Sequence, residues 1–565
     1  MGQWLRKRLA FAGLTAFDWG LTRLGRSPDY DVLSLEIAGD LSEDGHVGPG
    51  LPWLKRPGTD YLRLIGLLRW ARDDERLRAV SIRCGHLGAG WARIQGLRRS
   101  LLALRASGKK VWVHLDGGGL PEYYLASAAD RVTLTPAGTL DIVGLSSEAV
   151  FFLDALEMVG VRAEVVQVGA YKSAAESFTR RAMSDAHREM IEALVDDLFG
   201  QIVEDVAAAR RMEPDAVRDA IDGGPFLARE ALARGLVDAV EYADEAETAL
   251  TAEFGGAKPI DEGAYAARRS RVVRRRVLRG PTRHFAIVHI NGTIKMEDGA
   301  SALPRGRGAV AATLRKCLKD IRDRDDIDAV IVRIASPGGS GLASDLVWHD
   351  LRLTAAQKPM IVSMGDVAAS GGYYVALPGQ KIFAEPGTIT GSIGVVAGKA
   401  DLRGLYEKVG VRKDIVSRGR HAALYSDYAP LGDSERQRIR DEASAFYDDF
   451  VGKVADGRSM SAEQVESVAQ GRVWTGRQAW SRGLVDELGG FEEACDAAKR
   501  AIGVDIDTPL SAERFPQPQG FLRTALRRGF GGPSALTSMR SLIRQFPMST
   551  RDRVWLRLPF DIRLR

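Results

Sequence analysis

Apolar residues in this chain recur in two rhythms: short uninterrupted runs, and longer stretches with an apolar residue at every third or fourth position. "AVIVRI" (329–334) and "PMIVSM" (359–364) are runs rich in β-branched residues and predict buried strands. Between them, "SGLASDLVWHDLRLTAAQ" (340–357) has helical spacing. "GGYYVALPG" (371–379) predicts a short helix stopped by Pro378 and Gly379, and "KIFAEP" (381–386) a further strand. Longer helical patterns occupy 185–211 and 433–457. Alternating strands and helices predict an α/β class, with short strands covered by helices.

This rhythm is written twice. Residues 73–145 align without a gap on 323–395, matching Arg83 with Arg333, Asp116 with Asp366, Tyr123 and Tyr124 with Tyr373 and Tyr374, and Pro136 with Pro386. The same offset holds for "VGVR" at 159–162 and 409–412, and "RGLVD" recurs at 234–238 and 482–486. Such self-similarity marks an internal duplication. The expected division is a basic amphipathic segment (1–28), a first repeat (29–267), an arginine-rich linker (268–283), a second repeat (284–505) and a basic C-terminal extension (506–565).

With 565 residues, 45% of them hydrophobic and 27% charged, the chain is long enough for more than one core. Its three cysteines, Cys84, Cys317 and Cys495, are odd in number and widely spaced. They support neither a disulfide framework nor a paired-cysteine zinc site, and read as small apolar residues. No clustered set of histidine, cysteine and carboxylate suggests metal catalysis, and no cofactor is expected.

The net charge of +5 hides an asymmetry. Residues 1–28 carry five basic residues against Asp18, residues 268–283 eight arginines and no acid, and residues 511–565 eleven arginines against three acids. The rest of the chain is therefore acidic, and the basic attachments suit an anionic partner. A lipid surface is the expectation, because Trp4, Leu9, Phe11, Leu14, Phe17 and Leu21 interleave with the N-terminal charges as in an interfacial helix. That run is shorter than the roughly 20 apolar residues of a membrane span, and no clean small-residue cleavage site follows it. "RVWLRLPFDIRLR" (553–565) has a similar character. The competing reading for both ends is a solvated basic helix or a docking arm for another subunit. No nucleic-acid motif accompanies the charge.

Candidate chemistry emerges from aligning the repeats. In "DVAASGGYY" Ser370 sits between two alanines and two glycines, where a chain can turn tightly and a substrate approach closely. Its counterpart is Leu120, followed by Pro121 and Glu122, so the first repeat has no such corner. Conversely, Lys172 in "GAYKSAAE" falls opposite Ala422. One repeat offers a hydroxyl and the other an amine. A serine needs a base to take its proton, and lysine serves only as a neutral amine, a form that burial favours. Gly338 and Gly339 of "ASPGGSG", with Gly371 after the serine, are candidates to present N–H groups to an oxyanion. A phosphate cradle is the alternative use of that turn, but no Gly-Lys-Ser/Thr follows it. Lys381, Lys399, His289, His349 and His421 have ordinary structural explanations and no matching loss in the other repeat.

"SPGGS", "MGDVAASGGYY", "PGTITGSIGV" and "GAYKSAAESFTRRAMS" together resemble the long, duplicated form of the signal peptide peptidase A (SppA) family of serine–lysine proteases, over roughly residues 55–500. The resemblance implies a ClpP/crotonase-like fold in both halves. It implies Ser370 as nucleophile, Lys172 as general base, Ser392 as the hydroxyl that orients the lysine, and Gly339 with Gly371 as oxyanion donors. It further implies an acyl-enzyme route, remnant signal peptides and other unstructured peptides as substrates, and a homo-oligomer, with a tetramer as the size to test. Its implied location is the bacterial inner (cytoplasmic) membrane. Where long members often begin with a transmembrane segment, this sequence has a short basic amphipathic stretch, so peripheral or interfacial attachment is expected. The alternatives are a crotonase-type acyl-CoA enzyme, which leaves Ser370 and Lys172 without roles, and an idle scaffold, which loss of either residue would signal.

Overall fold

Valine- and isoleucine-rich runs form the parallel strands of two sheets, one per repeat, and their connections return as helices. The structure is a computed structural model and describes residues 31–43, 59–256, 259–279, 283–297, 308–508, 510–517 and 554–557. The N-terminal segment 1–28 and most of the basic tail lie outside the described residues.

In the first repeat, β1 (Val32–Ser42), α1 (Tyr61–Arg72), β2 (Ala79–Gly88), α2 (Trp91–Ala106), β3 (Lys110–Leu115) and β4 (Arg131–Leu134) alternate along the chain. Strands β4, β3, β2 and β1 pair in that order, all parallel. β5 (Arg162–Val168), α3 (Asp185–Arg210) and α4 (Glu262–Arg279) follow. The arginine-rich stretch is thus helical as far as Arg279, because α4 starts at Glu262 and anchors itself through the fully buried Tyr265.

The second repeat runs β6 (Arg283–Asn291), β7 (Ile294–Lys295), α5 (Ala311–Arg322), β8 (Ala329–Ser336), β9 (Gly338–Ser340), α6 (Gly341–Ala355), β10 (Met360–Ala369), α7 (Gly371–Tyr374), β11 (Lys381–Ala384), β12 (Ile389–Gly391) and β13 (Val395–Asp401). α8 (Asp433–Arg458), β14 (Val473–Thr475), β15 (Leu510–Phe515) and β16 (Val554–Arg557) complete it. Its main sheet has the order β14, β12, β10, β8, β6, β15, with β11 also on β10. β8 is covered on both faces, as a central parallel strand must be, and its apolar run is accordingly almost continuous.

The repeats interlock. Ala369, Ile389 and Val473 of the second repeat belong to the core of the first, and Val166 of the first belongs to the core of the second. The buried Arg333 guanidinium donates to both Glu43 oxygens at 2.8 and 2.9 Å. Removing one partner of such a buried pair costs about 3–5 kcal/mol, since the other charge is left uncompensated. Asp366 accepts the N–H groups of Gly90 and Arg93 at 3.1 and 2.9 Å, capping α2 from the strand that leads to Ser370. A third sheet crosses the boundary in the order Ala309–Val310, β7, β9, β16, β13, β5. In it β5 runs antiparallel to β13, with Val168 opposite Val395 and Arg162 opposite Asp401.

Candidate active site

Ser370 stands where β10 turns into α7, with φ 56° and ψ −116°. A positive φ at a residue with a Cβ costs about 1–3 kcal/mol and is held by its surroundings. Here the Ser370 N–H donates to the Gly391 carbonyl at 2.8 Å. The two glycines that follow answer a need for space. A Cβ on Gly371 would lie 2.6 Å from Ser344 Oγ and 3.2 Å from the Gly339 nitrogen, and one on Gly372 would lie 2.4 Å from the Ser336 carbonyl oxygen. The backbones of Gly371 and Gly339 are therefore neighbours. Gly371 opens α7, where N–H groups have no acceptor within the helix. Ser336 braces the glycine turn: its Oγ accepts the Gly338 N–H at 3.1 Å and donates to the Gly292 carbonyl at 2.7 Å.

The β5–β13 ladder carries the first repeat toward this corner. Beyond β5 the chain is clasped by Gln470, whose carbonyl accepts the Tyr171 N–H at 2.8 Å and whose side chain accepts the Ala170 N–H at 3.0 Å. Lys172 then reaches inward. Its Nζ lies 2.7 Å from Ser370 Oγ, 2.9 Å from Ser392 Oγ and 2.9 Å from the Ser392 carbonyl oxygen. All three residues are 0% exposed. Burial holds the amine well below the ordinary lysine range, toward the neutral form that can accept a proton.

What encloses the lysine was not legible in "GAYKSAA". Tyr171 faces away, its hydroxyl donating to Glu189 at 3.1 Å and its ring 4.7 Å from the Arg472 guanidinium. Two glycines of the second repeat press on the stem instead. A Cβ on Gly471, whose φ is +78°, would lie 2.6 Å from both the Cβ and the nitrogen of Lys172, and one on Gly394 would lie 3.1 Å from its Cδ.

At the equivalent corner of the first repeat, Leu120 occupies the serine position and is buried. Glu122, in place of Gly372, accepts the Leu87 and Gly119 N–H groups at 2.7 and 2.8 Å, so its carboxylate plugs the space. Three of the other basic candidates have separate partners. Lys381 pairs with Glu487, Lys399 donates to the carbonyls of Ser426 and Ala429, and His421 meets Ser434. His289 is buried, while His349 lies on α6. Among the described residues, no group of three or more His, Cys, Asp or Glu is arranged to hold a metal ion.

The sequence pattern of Peptidase family S49 matches twice, at residues 103–255 and 352–505. The chain belongs to that family. It is 33% identical over 518 residues to the chloroplastic serine protease SPPA of Arabidopsis thaliana, spanning 90% of this chain and 74% of that one. It is 32% identical over 441 residues to Protease 4 of Salmonella typhi, spanning 76% and 70%. Protease 4 of Haemophilus influenzae is 31% identical over 464 residues, spanning 79% and 74%. A solved ClpP1 mutant from Listeria monocytogenes matches 40% of this chain and 97% of its own, at 16% identity and a TM-score of 0.25. This S49 chain is a serine peptidase of α/β class, built from two tandem repeats.

Proposed function

We propose that this serine peptidase is an endopeptidase working through a dyad of Ser370 and Lys172. The observation that carries the reading is the 2.7 Å approach of the lysine amine to the serine hydroxyl, with both groups sealed from water. A neutral amine has two N–H groups and one lone pair. If the N–H groups go to the carbonyl and hydroxyl of Ser392, the lone pair is left for the Ser370 proton. Ser370 Oγ then attacks a peptide carbonyl as its proton moves to Lys172 Nζ, and the oxyanion is held by the N–H groups of Gly339 and Gly371. The ammonium returns the proton to the leaving amine, giving an acyl-Ser370 ester. Water, deprotonated by the same amine, hydrolyses that ester.

Extended, unstructured chains such as signal-peptide remnants are the substrate class. Support comes from β9 and β13, whose edges lie on either side of a slot one strand wide beside Ser370 and Gly339. Incubation with unstructured peptides and with acyl-CoA thioesters tests the reading. Internal cleavage of the peptides is expected. Thioester turnover alone would point to a crotonase-type enzyme, and inertness toward both to a scaffold.

Head-to-tail assembly of identical chains belongs to the same reading. By repeat equivalence, β5 corresponds to 412–418 and β13 to 145–151, yet among the described residues neither segment belongs to a sheet. Apolar residues stand exposed beside and within them, Val143 and Val150 on one side, Val409 and Val416 on the other, the last at 87%. A second copy that lays its 412–418 along 145–151 repeats the β5–β13 joint between chains.

Attachment to the surface of the bacterial inner membrane through the basic ends is supported by the charge segregation. Among the described residues no helix is long and apolar enough to cross a membrane. Flotation with anionic liposomes should weaken when residues 1–28 are deleted; undiminished flotation would contradict that segment's part.

A further inference from the structure

The slot between β9 and β13 is filled by the chain's own tail. β16 lies antiparallel to both edges: Gly338, Gly339 and Ser340 stand opposite Arg557, Leu556 and Trp555, while Val396 and Ala397 stand opposite Trp555 and Val554. β9 holds Gly339, and β13 begins three residues after Ser392, the partner of Lys172. The tail therefore forms backbone ladders with the strand of the oxyanion glycine on one side and with the sheet that delivers the lysine on the other.

Neighbouring strands stand about 4.8 Å apart, so a gap bridged by one strand has no room for a second. An extended peptide needs these same two edges to reach Ser370, which is 0% exposed in this arrangement. Residues 518–553 lie between β15 and β16 in the sequence, so the strand meets the groove as part of the same chain.

We propose that Val554–Arg557 is a tethered, substrate-like strand that occupies the peptide groove and keeps the peptidase at rest, so that cleavage of another chain requires its withdrawal. The proposal builds on the assignment of the groove beside Ser370 and Lys172. At an effective concentration near the millimolar range, a covalently joined strand with a dissociation constant of about 0.1 mM leaves the groove open about a tenth of the time.

Proline lacks the N–H that a ladder needs, and successive N–H groups of a strand point to opposite edges. Full-length Trp555→Pro and Leu556→Pro variants thus each remove one rung, on opposite sides. Either variant should raise kcat/KM for an unstructured reporter peptide about tenfold, through a lower KM at unchanged kcat. A synthetic peptide of residues 551–560 should inhibit these variants competitively and the wild type less. Equal KM in active wild type and variants would overturn the proposal, as would cleavage within 554–557 of the purified chain, which would make the tail a substrate. If no protein in the set turns over peptide, the Ser370–Lys172 reading has failed, and fluorescence anisotropy decides separately. Tighter binding of labelled 551–560 peptide to the proline variants than to the wild type supports the strand, and equal binding overturns it.

Discussion

Lys172 Nζ and Ser370 Oγ meet at 2.7 Å across 198 residues of sequence, each supplied by a different repeat of the same duplicated unit. No strong charge partner stands behind the low proton affinity of the amine; burial is its cause. An amine tuned by exclusion of water depends on the walls around it, and those walls come from both repeats.

The first consequence concerns stability and pH. The unfolded chain keeps Lys172 protonated up to about pH 10.4, whereas the folded chain releases the proton well below that. Within this window folding expels a proton, so stability rises with pH by up to about 1.4 kcal/mol per pH unit. Lys172→Met lacks the term. Its Tm should exceed that of the wild type most at neutral pH, and the gap should close toward pH 9.5. A pH-independent gap would mean that the folded amine is charged.

Ser392 meets the amine through both its hydroxyl and its carbonyl. Ser392→Ala removes only the hydroxyl and leaves the lone pair less well aimed. A fall in kcat of about 10- to 100-fold with little change in KM is expected, read from steady-state peptide hydrolysis. An unchanged kcat would remove Ser392 from the site.

Gly471 is a residue that no motif singled out. Gly471→Ala adds a methyl group 2.6 Å from the Lys172 backbone at a φ of +78°. The lysine loop must shift, and a shift near 1 Å at a reacting group costs about 100-fold in rate. Loss of activity with a preserved circular dichroism spectrum is the predicted pair of results; activity within twofold of wild type would show that the loop tolerates the change.

The unpaired segments 412–418 and 145–151 predict assembly. Light scattering should give a mass of several chains for the wild type. Val416→Asp and Val150→Asp, on opposite sides of the proposed joint, should each reduce it to one chain. A wild type that is already a single chain would contradict the joint.

Much of this was legible in the amino-acid pattern because duplication supplies its own control. Strand runs such as "AVIVRI" and the helix at 433–457 follow from periodicity, and Ser370 and Lys172 stand out because each is missing at its counterpart. The walls around Lys172 left no local signal, since Gly394 and Gly471 act by having no side chain and lie far along the chain. The strand pairing of β5 with β13, and of β16 with both β9 and β13, rests on backbone hydrogen bonds that any residues can make, so it left no mark in composition. Residues 268–279 read as a linker from their charge, yet they continue a helix that starts at Glu262.

The dyad itself is tested most directly by a fluorophosphonate probe, whose reaction with the full-length wild type, Ser370→Ala and Lys172→Ala chains is followed over time. Wild-type labelling should map to Ser370 and quicken as pH rises through the titration of Lys172, while both variants stay unlabelled. Undiminished labelling of both variants would contradict the account.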